Sequence, residues 1–253
     1  MIYLKTPCQI DRIEYVNKLG AEFLELCYDH IKSGTITLEL EELSIKFCEK
    51  YNVKPSFYKY HGFPHRLCVS INDEVVHGFP GGYIIKDGDI VSVDFGVEKE
   101  GYFSDAAFTK IVGKVPKNVA KLVKTTEECL YKGIEQAVPG NRLFDISSAV
   151  QTHAVQQNFD TVREFVGHGV GLKVHEPPQV PNYVSIGTNW RLRPGMVLAI
   201  EPMLVESGYK TRLSPNNWTV STADGKMAAH FEHSIAILET GTKILSKLWE
   251  EGN

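Results

Sequence analysis

The sequence is short of cysteine, of unbroken apolar runs and of surplus positive charge. Its five cysteines, Cys8, Cys27, Cys48, Cys68 and Cys129, are odd in number and contain no Cys-x-x-Cys pair. They read as reduced thiols, which excludes a disulfide scaffold or a thiolate zinc site. No apolar stretch approaches the ~18–20 residues of a membrane-spanning helix, so no membrane partner is expected. Lys and Arg total 27 against 31 Asp and Glu, a formal charge of −4. The chain therefore lacks the basic excess of a nucleic-acid binder, and no nucleic-acid specificity is expected. The start, MIYLKTPCQIDRIEY, carries acidic residues too early for a signal peptide, so a cytoplasmic location is expected. What is present is an ordinary globular balance, 43% hydrophobic and 23% charged over 253 residues. That excludes disorder and leaves room for one large domain or two small fused lobes.

Apolar residues at helical spacing, Ile13, Val16, Leu19, Phe23 and Cys27, predict a helix over 9–32. Thr37 is the expected N-cap of a second helix, with Glu39, Glu41 and Glu42 in its first turn. Strand-like segments follow from about 66 to 112. A second helical pair is then expected, one helix through Val119–Ile134 and another over 143–157. Strands return from about 162, and 244–251 is expected to be a short terminal helix. The order helix, helix, strands thus occurs twice. VVHGFP at 75–80 resembles KVHEPP at 173–178, and KDGDIVSVDF at 86–95 resembles RPGMVLAIEP at 193–202. Superposing Gly88 on Gly195 sets Asp94 against Glu201 and leaves His77 and His175 as counterparts. Two similar α+β lobes, about 9–112 and 117–240, related by a pseudo-two-fold axis, account for this.

Carboxylates stand where strands should be apolar. Asp94 lies at the far end of Asp89-Ile-Val-Ser-Val-Asp94-Phe, and Asp105 follows the polar turn Glu98–Gly101. A four-residue hairpin loop there pairs Val97 with Tyr102 and sets Asp94 directly across from Asp105, with Cβ atoms ~4.5–5.5 Å apart. Two carboxylates that close must face water, share a proton or bind a cation. Glu201 ends another apolar strand, and Glu232 stands in a further strand-like stretch. Four converging carboxylates carry a charge that two divalent cations neutralise. His168 sits between glycines that permit close backbone approach or positive φ, and a neutral imidazole is an ordinary ligand of such ions. A phosphate-binding loop is the weaker reading, because His175-Glu-Pro-Pro forbids a helix soon after.

The motifs INDEVVHGFP, DFGV…GYFSDAAFT, GHGVG…HEPPQVPNY, RPGMVLAIEPM and NWTVSTADGKMAAHFEHSI resemble those of the type I methionine aminopeptidases, across roughly residues 8 to 246. The resemblance implies the pita-bread fold: an antiparallel sheet covered by two helix pairs. It implies two divalent cations, Mn²⁺, Fe²⁺ or Co²⁺ with Zn²⁺ also compatible, held by Asp94, Asp105, His168, Glu201 and Glu232. It places His77 and His175 beside the substrate, with His175 steadying the scissile carbonyl. Tyr60, Phe63, Cys68, Val174 and Trp218 would line the pocket for the first side chain. The reaction implied is attack of a metal-bridging hydroxide on the first peptide bond of nascent proteins and peptides, with Glu201 moving the proton. A monomer is expected, and a ribosome contact is admitted. Phe63, Arg66, Leu172 and Val174 depart from the usual pattern, which bears on pocket width and rim charge. Two other readings remain at this level: a proline-directed relative of the same fold, and a non-catalytic binding module.

Overall fold

The computed structural model describes residues 2–247. Among the described residues there are four α-helices: α1 Pro7–His30, α2 Leu38–Tyr51, α3 Lys117–Gln136 and α4 Leu143–Gln156. Thr6 and Gln9 close a reciprocal capping box at the start of α1, which satisfies two otherwise orphaned amides. Thr37 does occupy the N-cap position of α2, but its hydroxyl does not cap the helix. It donates to the Gly81 carbonyl and accepts from the Gly81 amide, so a tertiary contact takes the group that sequence logic assigns to the cap.

The strands of the large sheet are numbered here β1 Cys68–Ile71, β2 Ile90–Phe95, β3 Ala106–Ile111, β4 Gly167–Gly169, β5 Glu176–Val180, β6 Val197–Ile200, β7 Glu232–Leu238 and β8 Gly241–Ile244. Their order is β5-β4-β6-β7-β3-β2-β1, with β8 pairing the later part of β7 on the side that β3 pairs at its start, and all the pairings are antiparallel. Outward from the central β3–β7 pair, β2 and β6 occupy matching places. These are the two strands that the internal repeat equates, so the pseudo-two-fold lies between β3 and β7. Helices α1 and α2 pack over the first half, and α3 and α4 over the second. The expected terminal helix at 244–251 is not formed in its described part. Ile244 ends β8, paired to Ile235, and residues 245–247 are irregular; 248–251 lie outside the described residues.

Alternation along β2 separates core from site. Phe95 turns toward the helices, its ring 4.2 Å from that of Phe23 on α1. Phe108, paired with Val93, meets Tyr28 of the same helix at 5.3 Å. The opposite face carries Ser92, Asp94 and Thr109, and the two hydroxyls are hydrogen-bonded to each other at 2.7 Å.

The hairpin between β2 and β3 differs from its expected register. Lys99 pairs with Tyr102, so the turn has two residues, Glu100 and Gly101, both at positive φ (54° and 81°). That conformation matches the twist of the flanking strands, and it shifts the register by two. Asp94 therefore faces Ala107, not Asp105. A shift of two keeps the side-chain face, so Asp105 still lies on the face of Asp94.

Candidate metal centre

The sheet register itself gathers the acidic groups. Ala107 pairs with Asp94 on one side and with Glu232 on the other. Glu201 follows Ile200, which pairs with His233, so the register extended by one residue sets Glu201 across from Glu232. His168 pairs with Ala199, two positions from Glu201. Asp94, Glu232, Glu201, His168 and Asp105 thus share one face of five adjacent strands.

Ligand-capable atoms of Asp94, Asp105 and Glu232 all lie within 4.8 Å of one another, and so do those of His168, Glu201 and Glu232. The two triads share Glu232. A third grouping joins Asp105, His168 and His175. His168 Nε2 stands 3.4 Å from Glu201 Oε1 and 3.6 Å from Asp105 Oδ2. Among the described residues, the basic side chains within ion-pair distance of these carboxylates are histidines, not Lys or Arg. Burial pushes Asp94 up to about 7 against the lowering effect of a hydrogen bond with Asp105, and it pushes Asp105, Glu201 and Glu232 well above the usual carboxylate range, where neighbouring carboxylates add to the rise. Burial also drives His168 down to about 3, so it is a neutral imidazole. Asp94 Oδ1, Asp105 Oδ1 and Glu232 Oε1 are buried without a hydrogen-bond partner. Orphaned oxygens converging in this way are costly unless a cation meets them, and oxygen donors with one imidazole suit divalent ions. The residues present fit a metal centre.

The glycines flanking His168 serve close approach, not positive φ. A Cβ on Gly167 would stand 2.3 Å from the Ala199 carbonyl oxygen, and one on Gly169 would stand 2.5 Å from that of Pro177. His168 is held between β5 and β6 because its neighbours have no side chains. Its Nδ1 meets the Gly169 carbonyl at 2.9 Å, which leaves Nε2 for the centre.

The carboxylates floor a cavity of about 210 Å³. Its walls include Tyr60, Phe63, Cys68 and Trp218, with His77 and His175 beside them. Val174 packs in the same apolar cluster with Phe57, Phe63 and Cys68. His175 Nδ1 lies 3.1 Å from the Tyr60 hydroxyl, and its ring centroid is 4.2 Å from that of His168. His77 adopts φ 59°, a rare state for a residue with a Cβ, and burial lowers it to about 4. Of the pattern departures, Arg66 is not among the residues that line the cavity. It binds Glu41 on α2 at 3.0 Å and stacks on Tyr58 at 4.5 Å. Leu172 contributes its amide to Glu176.

Sequence reading gave no role to His230, Phe57, Val76, His61 or Phe165, which also line the cavity. His230 Nε2 is buried and unpartnered, 3.9 Å from Glu201 and 4.0 Å from Glu232. The available signal was its place two residues before Glu232, on the same side of an extended segment.

A buried carboxylate–imidazole centre on this sheet, at the end of an apolar cavity, defines a metallopeptidase. Metallopeptidase family M24 matches residues 11–239, and the chain belongs to that family, within it to the methionine aminopeptidases. It is 46% identical to methionine aminopeptidase 1 of Bacillus subtilis, over 98% of this chain and 100% of that one. The crystal structure of methionine aminopeptidase from Thermotoga maritima matches with a TM-score of 0.95 and 43% identity, over 98% of this chain and 100% of that one. The prolidase of Pyrococcus horikoshii shares the fold, with a TM-score of 0.77 at 23% identity, and this chain covers 64% of it. Among the described residues, no helix is long and apolar enough to cross a membrane.

Proposed function

We propose that this chain removes the N-terminal methionine of nascent proteins and peptides, using two divalent cations, Mn²⁺, Fe²⁺ or Co²⁺ by the chemistry of the donor set. The observation that carries the reading is the pair of ligand triads sharing Glu232 at the end of an apolar cavity. Asp94, Asp105 and Glu232 would hold one ion, and His168 and Glu201 would complete the shell of the other. When bound, the ions lower the pKa of a coordinated water and so supply a nucleophile near neutral pH.

The remaining steps belong to side chains. The apolar wall of Phe63, Cys68 and Trp218 suits a flexible thioether and excludes water from the first peptide bond. Glu201 accepts a proton from the attacking water and passes it to the leaving nitrogen. The Tyr60 hydroxyl at Nδ1 fixes the His175 ring, so Nε2 can donate to the carbonyl oxygen as it becomes tetrahedral. His77 flanks the amine end of the substrate.

The test is hydrolysis of Met-Ala-type against Xaa-Pro peptides, with and without each divalent ion. Release of methionine only in the presence of metal is expected. Cleavage of Xaa-Pro peptides alone would move the chain to the prolidase reading, and no hydrolysis with any ion would favour a binding module. Asp94→Asn should abolish metal-dependent turnover, and a wild-type rate at saturating metal would end the ligand assignment.

A further inference from the structure

The segment ahead of α1 reaches the site through one side chain. Lys5 Nζ lies 2.7 Å from Glu176 Oε2, and both side chains are only 1% exposed. The two residues are 171 positions apart in sequence. The other oxygen of Glu176 accepts the amides of Leu172 at 2.6 Å and Lys173 at 3.0 Å. Glu176 follows His175 directly and opens β5. Its carboxylate therefore closes the loop 172–176 on itself, and Lys5 anchors that closure from outside.

Lys5 is itself fixed. Its amide donates to the Gly195 carbonyl at 2.7 Å. Gly195, at φ +89°, is the turn residue ahead of β6, and a Cβ there would stand 2.9 Å from the Lys5 carbonyl oxygen. The loop is also tied at its start, where the Gly171 carbonyl accepts the Phe103 amide at 2.8 Å. Between these ties the chain presents Val174 to the pocket cluster and His175 to the cavity. A buried ammonium in such a place costs desolvation that a methionine would avoid, so stability alone is a poor reason for it.

We infer that Lys5 is a positioning residue for His175: its buried ion pair with Glu176 holds the loop that aims the imidazole at the reacting carbonyl. This rests on the proposed role of His175. Lys5 touches no reacting atom and no residue of the metal triads, so it should act on turnover and not on metal loading.

The experiment uses the full chain with Lys5→Met, Lys5→Arg and Lys5→Met/Glu176→Gln; the double variant leaves no buried charge unpaired if the single one folds poorly. On a Met-Ala-type peptide, Lys5→Met and the double variant should lose about 10- to 100-fold in kcat, the scale of a small misplacement of a catalytic group. KM and the affinity for Mn²⁺ by calorimetry should stay within about threefold. Lys5→Arg should recover part of the loss. Histidine-labelled NMR of the metal-free protein gives a reading that needs no activity: the His175 imidazole signals should shift in Lys5→Met, while those of His233 hold. Unchanged kcat in folded variants with unshifted His175 signals would overturn the inference, as would parallel loss of kcat and metal affinity. If wild type hydrolyses nothing with any ion, the proposed function fails, and the NMR arm still decides whether Lys5 sets the imidazole.

Discussion

His175 shows how much rests on one side chain at the rim of the centre. It falls within the third grouping of ligand-capable atoms, with Asp105 and His168, yet its Nδ1 is engaged by Tyr60. The two roles separate by measurement. As a hydrogen-bond donor to the developing oxyanion, His175→Ala should cost about 10²–10³ in kcat and leave metal affinity nearly unchanged by calorimetry. Equal losses in both would make it a ligand. His175 was legible in the motif that carries it, as were His168 and the four carboxylates. His230 was not. It stands two residues before Glu232, but residues 228–230 form a separate strand paired with 203–205 in another sheet, and the place of Nε2 beside Glu201 and Glu232 is a fact of tertiary packing.

The strands decide which faces meet. Helices α1, α3 and α4 were legible to within a few residues because their apolar stripes repeat at helical spacing. The β2–β3 hairpin was read with the wrong register because the same polar run, Glu98–Gly101, permits a four- or a two-residue turn. The positive φ of Glu100 and Gly101 settles it. The face of Asp94 survived the error because the slip was an even number of residues. Gly167 carries the element-scale prediction. An alanine Cβ would meet the Ala199 carbonyl 2.3 Å away and drive β4 from β6. Gly167→Ala should lose about 1–3 kcal/mol in denaturant unfolding and weaken metal binding, since His168 moves with its strand. Unchanged metal affinity would mean that the strand relaxes without moving the imidazole.

At the scale of the whole molecule, the centre sets how stability depends on pH. Asp94 is raised to about 7, and Asp105, Glu201 and Glu232 are raised well above the ordinary carboxylate range, so the metal-free folded state retains protons that the unfolded chain releases. Their contribution is complete below the ordinary carboxylate pKa and disappears as pH rises through the raised values. The buried histidines act oppositely: His168 and His230, held near 3, cost stability below about pH 6.5 and none above it. From pH 7 to 9 the histidines no longer contribute, and the thiols of Cys27, Cys48, Cys68 and Cys129, which burial also holds protonated, act in the same direction as the carboxylates. With chelator the melting temperature should therefore fall across that range, and added Mn²⁺ should restore it by an increment that grows with pH. A chelated protein with a flat profile from pH 7 to 9 would contradict the burial of these groups. By itself the sequence determined the helices, the repeat and the residue types of the centre, because apolar periodicity and misplaced charge are local in the chain. Only the tertiary structure decided the turn register, the diversion of Thr37 from its cap, the arrival of His230 and the reach of Lys5 to Glu176. Each depends on groups distant in sequence competing for one partner, a competition decided by packing.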